Sequence, residues 1–179
     1  QAVSRGLGDV YKRQRLAIVF RVAFWPHCTT GKCFHVHPDG HDWIDDMKIG
    51  CPTETFEGER RVAMTPDSIR QILKLGHDCV VQSGAGDAAG FPDAAYEEAG
   101  AAIVKTAATL WKQADIVVKV RGVTKKEESQ LRADQTVISL FWPAQNPELL
   151  ETFKSAGTNA IAMDMVPRIS RAQKMDVLS

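Results

Sequence analysis

The sequence predicts an α/β fold, a three-layer arrangement in which a mostly parallel β-sheet carries helices on both faces. Two observations predict it. Short apolar runs alternate with amphipathic stretches from residue 47 onward, and the junctions between them are marked by Gly, Pro or a capping hydroxyl.

Residues 47–52 form the first strand, closed by Pro52. A charged loop holding Glu54, Glu57, Glu59, Arg60 and Arg61 follows. Thr65-Pro66-Asp67 opens a helix by placing proline in its first turn; Ile69, Ile72, Leu73 and Leu75 give it an apolar face, and Gly76 ends it. His77 falls in the turn that follows, and Cys79-Val80-Val81-Gln82 is the second strand.

Ser83 to Gly90 reads G-x-G-x-x-x-G, one residue too long for a dinucleotide fingerprint, and the next helix (residues 93–99) starts beyond it. It is expected to be a turn. Residues 102–104 are the third strand and 107–113 a helix containing Trp111. Residues 115–120 form a fourth strand that looks buried on both faces, followed by a short charged helix over residues 125–131. Residues 136–141 make the fifth strand, 147–156 a helix stopped at Gly157, and 159–163 the sixth strand. In such sheets functional residues gather just past the strand C-termini, which is where residues 142–146 and 168–176 fall.

With 44% hydrophobic residues and 22 basic side chains against 22 acidic ones, the chain has the composition of a globular domain with a core. Balanced charge without a basic run argues against steering toward nucleic acid or a membrane surface. Four cysteines form no dense disulfide framework, so the body is read as cytosolic and reduced. No apolar run reaches the roughly 18 residues that span a bilayer; the stretch over residues 16–25 carries Arg21 in its middle, and the basic residues before it only imitate a secretory signal.

Residues 1–46 stand apart. Cys28, Cys33, His35, His37 and His41 match no standard zinc spacing, and no metal site is expected there. Residues 5–14 look like a translated adapter. The segment is expected to be a non-native leader read through from upstream of Met47, and to be disordered or poorly packed.

The last stretch holds the candidate site. A strand ending near Met163 runs through Asp164-Met165-Val166-Pro167 to Ser170, with Gln173 three residues on in capping-box spacing. A helix N-terminus flanked by Arg168 and Arg171 offers a seat for a phosphate or carboxylate, although a plain cap with solvated arginines fits the same residues. Gln173, Asp176 and Ser179 share one helical face, beside the apolar Met175 and Leu178. A polar stripe next to an apolar wall suits a flat, amide-bearing ring.

Pro167-Arg168-Ile169-Ser170-Arg171-Ala172-Gln173 with its continuation to Ser179 resembles the alanine dehydrogenase/transhydrogenase family. So do Trp142-Pro143-Ala144-Gln145-Asn146-Pro147-Glu148-Leu149 and Met47-Lys48-Ile49-Gly50 leading to Arg61-Val62-Ala63-Met64-Thr65-Pro66. Within that family the likeness is to the alpha subunits of proton-translocating NAD(P) transhydrogenase. It runs over residues 47–179 and implies a Rossmann-like or flavodoxin-like first domain, truncated before the NAD-binding Rossmann domain, with the family's Gly-rich NAD loop lying in that later domain. This piece alone is then expected to bind NADH weakly or not at all.

The resemblance implies NAD(H) as cofactor, with NADP(H) on a partner subunit or domain. Arg168, Ile169, Ser170, Arg171, Gln173, Lys174, Met175, Asp176 and Ser179 would line the nicotinamide, and Gln173 and Asp176 would serve the hydride transfer. It also implies a beta subunit or NADP-binding domain, membrane-spanning segments, a pair of alpha chains, and a place on the cytoplasmic face of the inner membrane.

Alanine dehydrogenases share the first domain and set the alternative. Oxidising an amino acid needs a proton acceptor. That branch uses a lysine in K-V-K-E-P and a histidine in L-H-L-A. Here the corresponding runs are Lys119-Val120-Arg121-Gly122 and Phe141-Trp142-Pro143-Ala144, so Arg121 and Trp142 stand in their places. Neither side chain offers a base. Arg61, which in the dehydrogenases holds the substrate carboxylate, is expected here to be a structural ion pair with a nearby glutamate. A non-catalytic interaction domain that keeps the fold is the third reading.

Overall fold

The computed structural model describes residues 47–167 together with Ile169 and Ala172. The leader over residues 1–46, and Arg168, Ser170, Arg171, Gln173, Lys174, Met175, Asp176 and Ser179 of the predicted site, lie outside the described residues.

Among the described residues six strands alternate with five α-helices in the order β1 (Lys48–Cys51), α1 (Pro66–Lys74), β2 (Asp78–Gln82), α2 (Asp93–Ala99), β3 (Ala102–Val104), α3 (Ala107–Gln113), β4 (Ile116–Arg121), α4 (Lys125–Glu128), β5 (Thr136–Leu140), α5 (Pro147–Ala156) and β6 (Asn159–Ala162). Short 3-10 turns lie at Asp87–Ala89 and Met163–Met165. The strands form one sheet in the order β3-β2-β1-β4-β5-β6, and every pair is parallel. The strand order reverses between β1 and β4, so a crevice opens past their C-terminal ends.

Local chemistry sets the boundaries. The α1 N-terminus is a capping box in which the Thr65 N–H donates to Ser68 Oγ at 2.8 Å and the Ser68 N–H to Thr65 Oγ1 at 3.3 Å. Gly100 and Gly157 take left-handed conformations at φ 99° and 70° to close α2 and α5. Cross-strand alternation then sorts the apolar residues into two layers. Cys79 and Val81 point into a core with Ile69 of α1 and Tyr96 of α2, whereas Val80 points into one with Leu110 and Trp111 of α3 and Phe153 of α5. Helices therefore lie on both faces, as the sequence predicts.

Two predicted elements differ. β4 is not buried on both faces: Val117 and Lys119 are enclosed, whereas Ile116, Val118 and Val120 are only partly so. Val118, Ile138 and Ile161 form a cross-strand row, and among the described residues no helix lies over its β6 end, where Ile161 stays 47% exposed. The helix predicted over residues 125–131 is cut to α4, because Gln130 and Leu131 donate to carbonyls only three residues back and the chain turns.

Gly50 shows how closely the layers approach. A β-carbon there would stand 2.7 Å from Ala114 Cβ and 2.9 Å from Leu110 Cδ2, so only glycine lets α3 seat on β1. Gly50→Ala should destabilise the chain by about 1–3 kcal/mol, the usual range for overpacking a filled core, read as a lowered urea midpoint.

Candidate functional site

The crevice between β1 and β4 is built from charged side chains of the loop after β1 and from the ends of β4 and β5. In β4 the pairing with β5 shifts register between Val118 and Arg121, a bulge that takes the intervening backbone out of the ladder. Glu54 meets the groups so released: its carboxylate accepts the Val120 N–H at 2.6 Å and the Arg121 N–H at 3.3 Å. Burial pushes the Glu54 carboxyl above its ordinary range, against the pull of Lys119 and of these two N–H groups.

Lys119 and Glu127 form a closed ion pair beneath. Both carboxylate oxygens lie 2.7 Å from Lys119 Nζ, and the side chains are 1% and 6% exposed. Glu127 also accepts the N–H and the hydroxyl of Thr124, the N-cap residue of α4, as the third-position partner of its capping box. Removing either partner of such a pair costs about 3–5 kcal/mol, because the other is left charged and buried. Lys119 is therefore held in place by a buried ion pair.

Above them one carboxylate serves two arginines. Glu59 accepts from Arg61 through Nε at 2.7 Å, Nη2 at 2.6 Å and the backbone N–H at 3.1 Å, and from Arg121 Nε at 2.8 Å. Its side chain is 4% exposed, against 58% for Arg61 and 33% for Arg121. Hydrogen bonding to Arg61 is the main cause that holds the Glu59 carboxyl down at about 2, helped by Arg121 and opposed by desolvation. The structural ion pair predicted for Arg61 is thus present, with Glu59 as its partner.

Arg121 lies between two aromatic rings, its Cζ 5.1 Å from the Phe56 centroid and 5.6 Å from that of Trp142. Trp142 carries φ 45°, in the left-handed region where a bulky residue is strained. Asn146 holds the corner: its side-chain amide donates to the carbonyls of Phe141 at 2.7 Å and Trp142 at 3.3 Å, and its backbone N–H reaches Trp142 at 3.1 Å.

The same rim receives the chain leading to the predicted site. Asp164, after β6, accepts the Phe141 N–H at 3.0 Å and so ties the turn before Pro167 to the Trp142 corner. Of the predicted nicotinamide-lining residues only Ile169 is described. The residue is 54% exposed, its N–H donates to the Pro167 carbonyl, and its own carbonyl accepts from the N–H of the buried Ala172.

The Ser83–Gly90 loop is a turn, as the sequence predicts. Asp93 accepts from Ser83 Oγ at 2.6 Å and from the Gly84 N–H at 2.8 Å, bonds that lower the pKa of its carboxyl, so a side chain already takes the loop's anion position. Gly86 is demanded by packing: a β-carbon would meet the Phe91 carbonyl at 2.5 Å and the Tyr96 ring at 2.6 Å. Cys51 and Cys79 are buried free thiols pushed up to about 11 by desolvation, which leaves them without nucleophilic character. Among the described residues no three His, Cys, Asp or Glu side chains gather as metal ligands, and no helix is long and apolar enough to cross a membrane. The sequence reading missed Glu54 and Asp93 as partners of backbone N–H groups and Glu59 as a partner of Arg121, and the only signal for them was acidic residues close to glycines and arginines.

Comparison with known proteins bears on this arrangement. The family profile described as alanine dehydrogenase/PNT, N-terminal domain, matches residues 50–179. NAD(P) transhydrogenase subunit alpha of Cereibacter sphaeroides is 63% identical over 133 residues, covering 74% of this chain and 25% of that protein. The crystal structure of a transhydrogenase from Sinorhizobium meliloti superposes with a TM-score of 0.70 at 38% identity, covering 73% of this chain and 39% of that one. An L-alanine dehydrogenase structure superposes with a TM-score of 0.66 at 34% identity, covering 70% and 34%. The chain thus spans between a quarter and about two fifths of these relatives. The Rossmann-like α/β fold is the one they share, and the chain belongs to the alanine dehydrogenase/PNT N-terminal domain family.

Proposed function

We propose that this chain is part of the NAD(H)-binding component of a proton-translocating NAD(P) transhydrogenase. One observation carries the reading. At the strand ends, where an amino-acid dehydrogenase needs groups that trade protons, Arg121 is held against Glu59 and lies between Phe56 and Trp142. Guanidinium stays protonated and indole has no basic nitrogen, so neither side chain offers the base that amino-acid oxidation asks for. Hydride exchange between two nicotinamides changes no heteroatom's protonation and asks the protein only to hold and shield two rings.

Asp164 fixes the turn that leads to the ring-facing segment. When bound, NADH supplies the hydride. Exposed Ile169 fits a nicotinamide as apolar surface, and because its own N–H is already bonded, polar contacts fall to side chains. Arg168 and Arg171 add charge, Ser170, Lys174 and Met175 complete the lining, Asp176 and Ser179 bond the carboxamide or ribose, and Gln173 sets the ring against NADP(H) on the partner. The beta subunit or NADP-binding domain, membrane segments that move the proton, a paired alpha chain and a peripheral position on the cytoplasmic face of the inner membrane complete the proposal.

In the complete enzyme, Gln173→Asn should slow single-turnover hydride transfer from NADPH to an oxidised NAD analogue by about a hundredfold, the cost typical of a small misplacement, with little change in NADH affinity. Equal losses in both would count against a positioning role. The same enzyme, assayed with L-alanine and NAD+, should give no NADH above background. Steady alanine-dependent reduction would establish the dehydrogenase reading instead.

A further inference from the structure

Glu54 joins two segments that lie far apart in sequence. It comes from the loop after β1, and its carboxylate meets the β4 bulge 66 and 67 positions on: Oε1 accepts the Val120 N–H at 2.6 Å and Oε2 the Arg121 N–H at 3.3 Å. Both bonds together need a carboxylate. Ionised, the group accepts at either oxygen; protonated, one oxygen carries a hydrogen and turns donor toward the N–H it held. The longer bond is the cheaper one to give up, so the proton belongs on Oε2.

Charged and titratable neighbours face Glu54 from each element around it. Lys119 on β4 favours the ionised form, but it is closed on Glu127 of α4 at 2.7 Å to both oxygens, and Glu127 repels a second negative charge. Arg61 of the same loop is bonded to Glu59, as is the Arg121 side chain. Cys51 at the end of β1, a thiol pushed up to about 11, brings no charge. Two carboxylates thus share one ammonium, with Glu54 half-buried and the other two enclosed. Glu127 already receives the Thr124 N–H and hydroxyl besides Lys119, which leaves Glu54 as the acid that takes up a proton.

We propose that Glu54 is a pH-sensitive clasp, whose ionised carboxylate holds the β4 bulge to the loop after β1 and whose protonation at Oε2 releases the Arg121 N–H. The proton comes from solvent and the freed N–H turns to water. The Val120 bond stays on Oε1, so the bulge loosens at one residue while the sheet remains. The inference rests on this geometry and holds whether or not the chain serves a nicotinamide reaction. Burial raises the Glu54 carboxyl above its ordinary 4.5, so the clasp opens at milder acidity than a solvated glutamate would protonate. A carboxyl raised in this way contributes stability that is complete below its unfolded value and lost as pH rises through the folded one. The charged, closed clasp is therefore the state that costs folding stability.

The isotope-labelled 179-residue chain is titrated from neutral to mildly acid pH while NMR follows the Glu54 side-chain carboxyl carbon and the backbone amides of Val120 and Arg121. The Arg121 amide should shift with the midpoint of the Glu54 carboxyl, above 4.5, and Val120 should shift less. Glu54→Gln, which fixes the neutral form, should leave the Arg121 amide flat over the same range. Its stability relative to the parent should rise with pH through the Glu54 midpoint. If that variant folds poorly, the curves of the parent chain decide alone. A Glu54 carboxyl that titrates at or below 4.5 overturns the proposal, as does an Arg121 amide that ignores the Glu54 midpoint or still titrates in Glu54→Gln. A larger shift at Val120 than at Arg121 would put the proton on the other oxygen and overturn it too.

Discussion

Backbone donors at the C-terminal ends of a parallel sheet lose their ladder partners, and each must find another acceptor or face water. In this chain its own carboxylates provide them. Asp93 takes the Gly84 N–H after β2, Glu54 takes the two released by the β4 bulge, Glu127 takes that of Thr124, and Asp164 takes that of Phe141. Glu59 does the same for the arginines. The usual ligand rim of an open α/β sheet is thus filled by acids from within.

That filling also holds the rim's cations in ion pairs. Lys119 is locked on Glu127, and Arg121 is locked on Glu59. The strain at Trp142 is sustained by three hydrogen bonds from Asn146, so the corner is rigid.

Much of the fold was legible because it rests on local signals. Thr65-Pro66 and Gly157 mark helix ends whatever the rest of the chain does, and the helices predicted over residues 93–99, 107–113 and 147–156 have the observed bounds. The run Ile-Val-Val-Lys-Val misled, because a string of β-branched residues does not say which face has a helix over it; that depends on where α1 and α2 stop covering the sheet. Arg61 could be read as ion-paired because Glu59 is two residues away. Glu59 with Arg121, at a separation of 62, and Glu54 with Val120, at 66, could not, since only the crossover topology joins them.

The central claim, that one enclosed carboxylate holds the two arginines at the crevice, is tested most directly by a carbon-13 titration of the Glu59 side-chain carboxyl, assigned with Glu59→Gln. A carboxyl whose folded value lies below its unfolded one contributes stability that is complete above the unfolded value and fades as pH falls toward the folded one. Glu59 should stay ionised well below its ordinary value of 4.5 and protonate only near about 2. A titration centred at 4.5 would mean that the carboxylate stands in solvent, and the closed crevice would not exist.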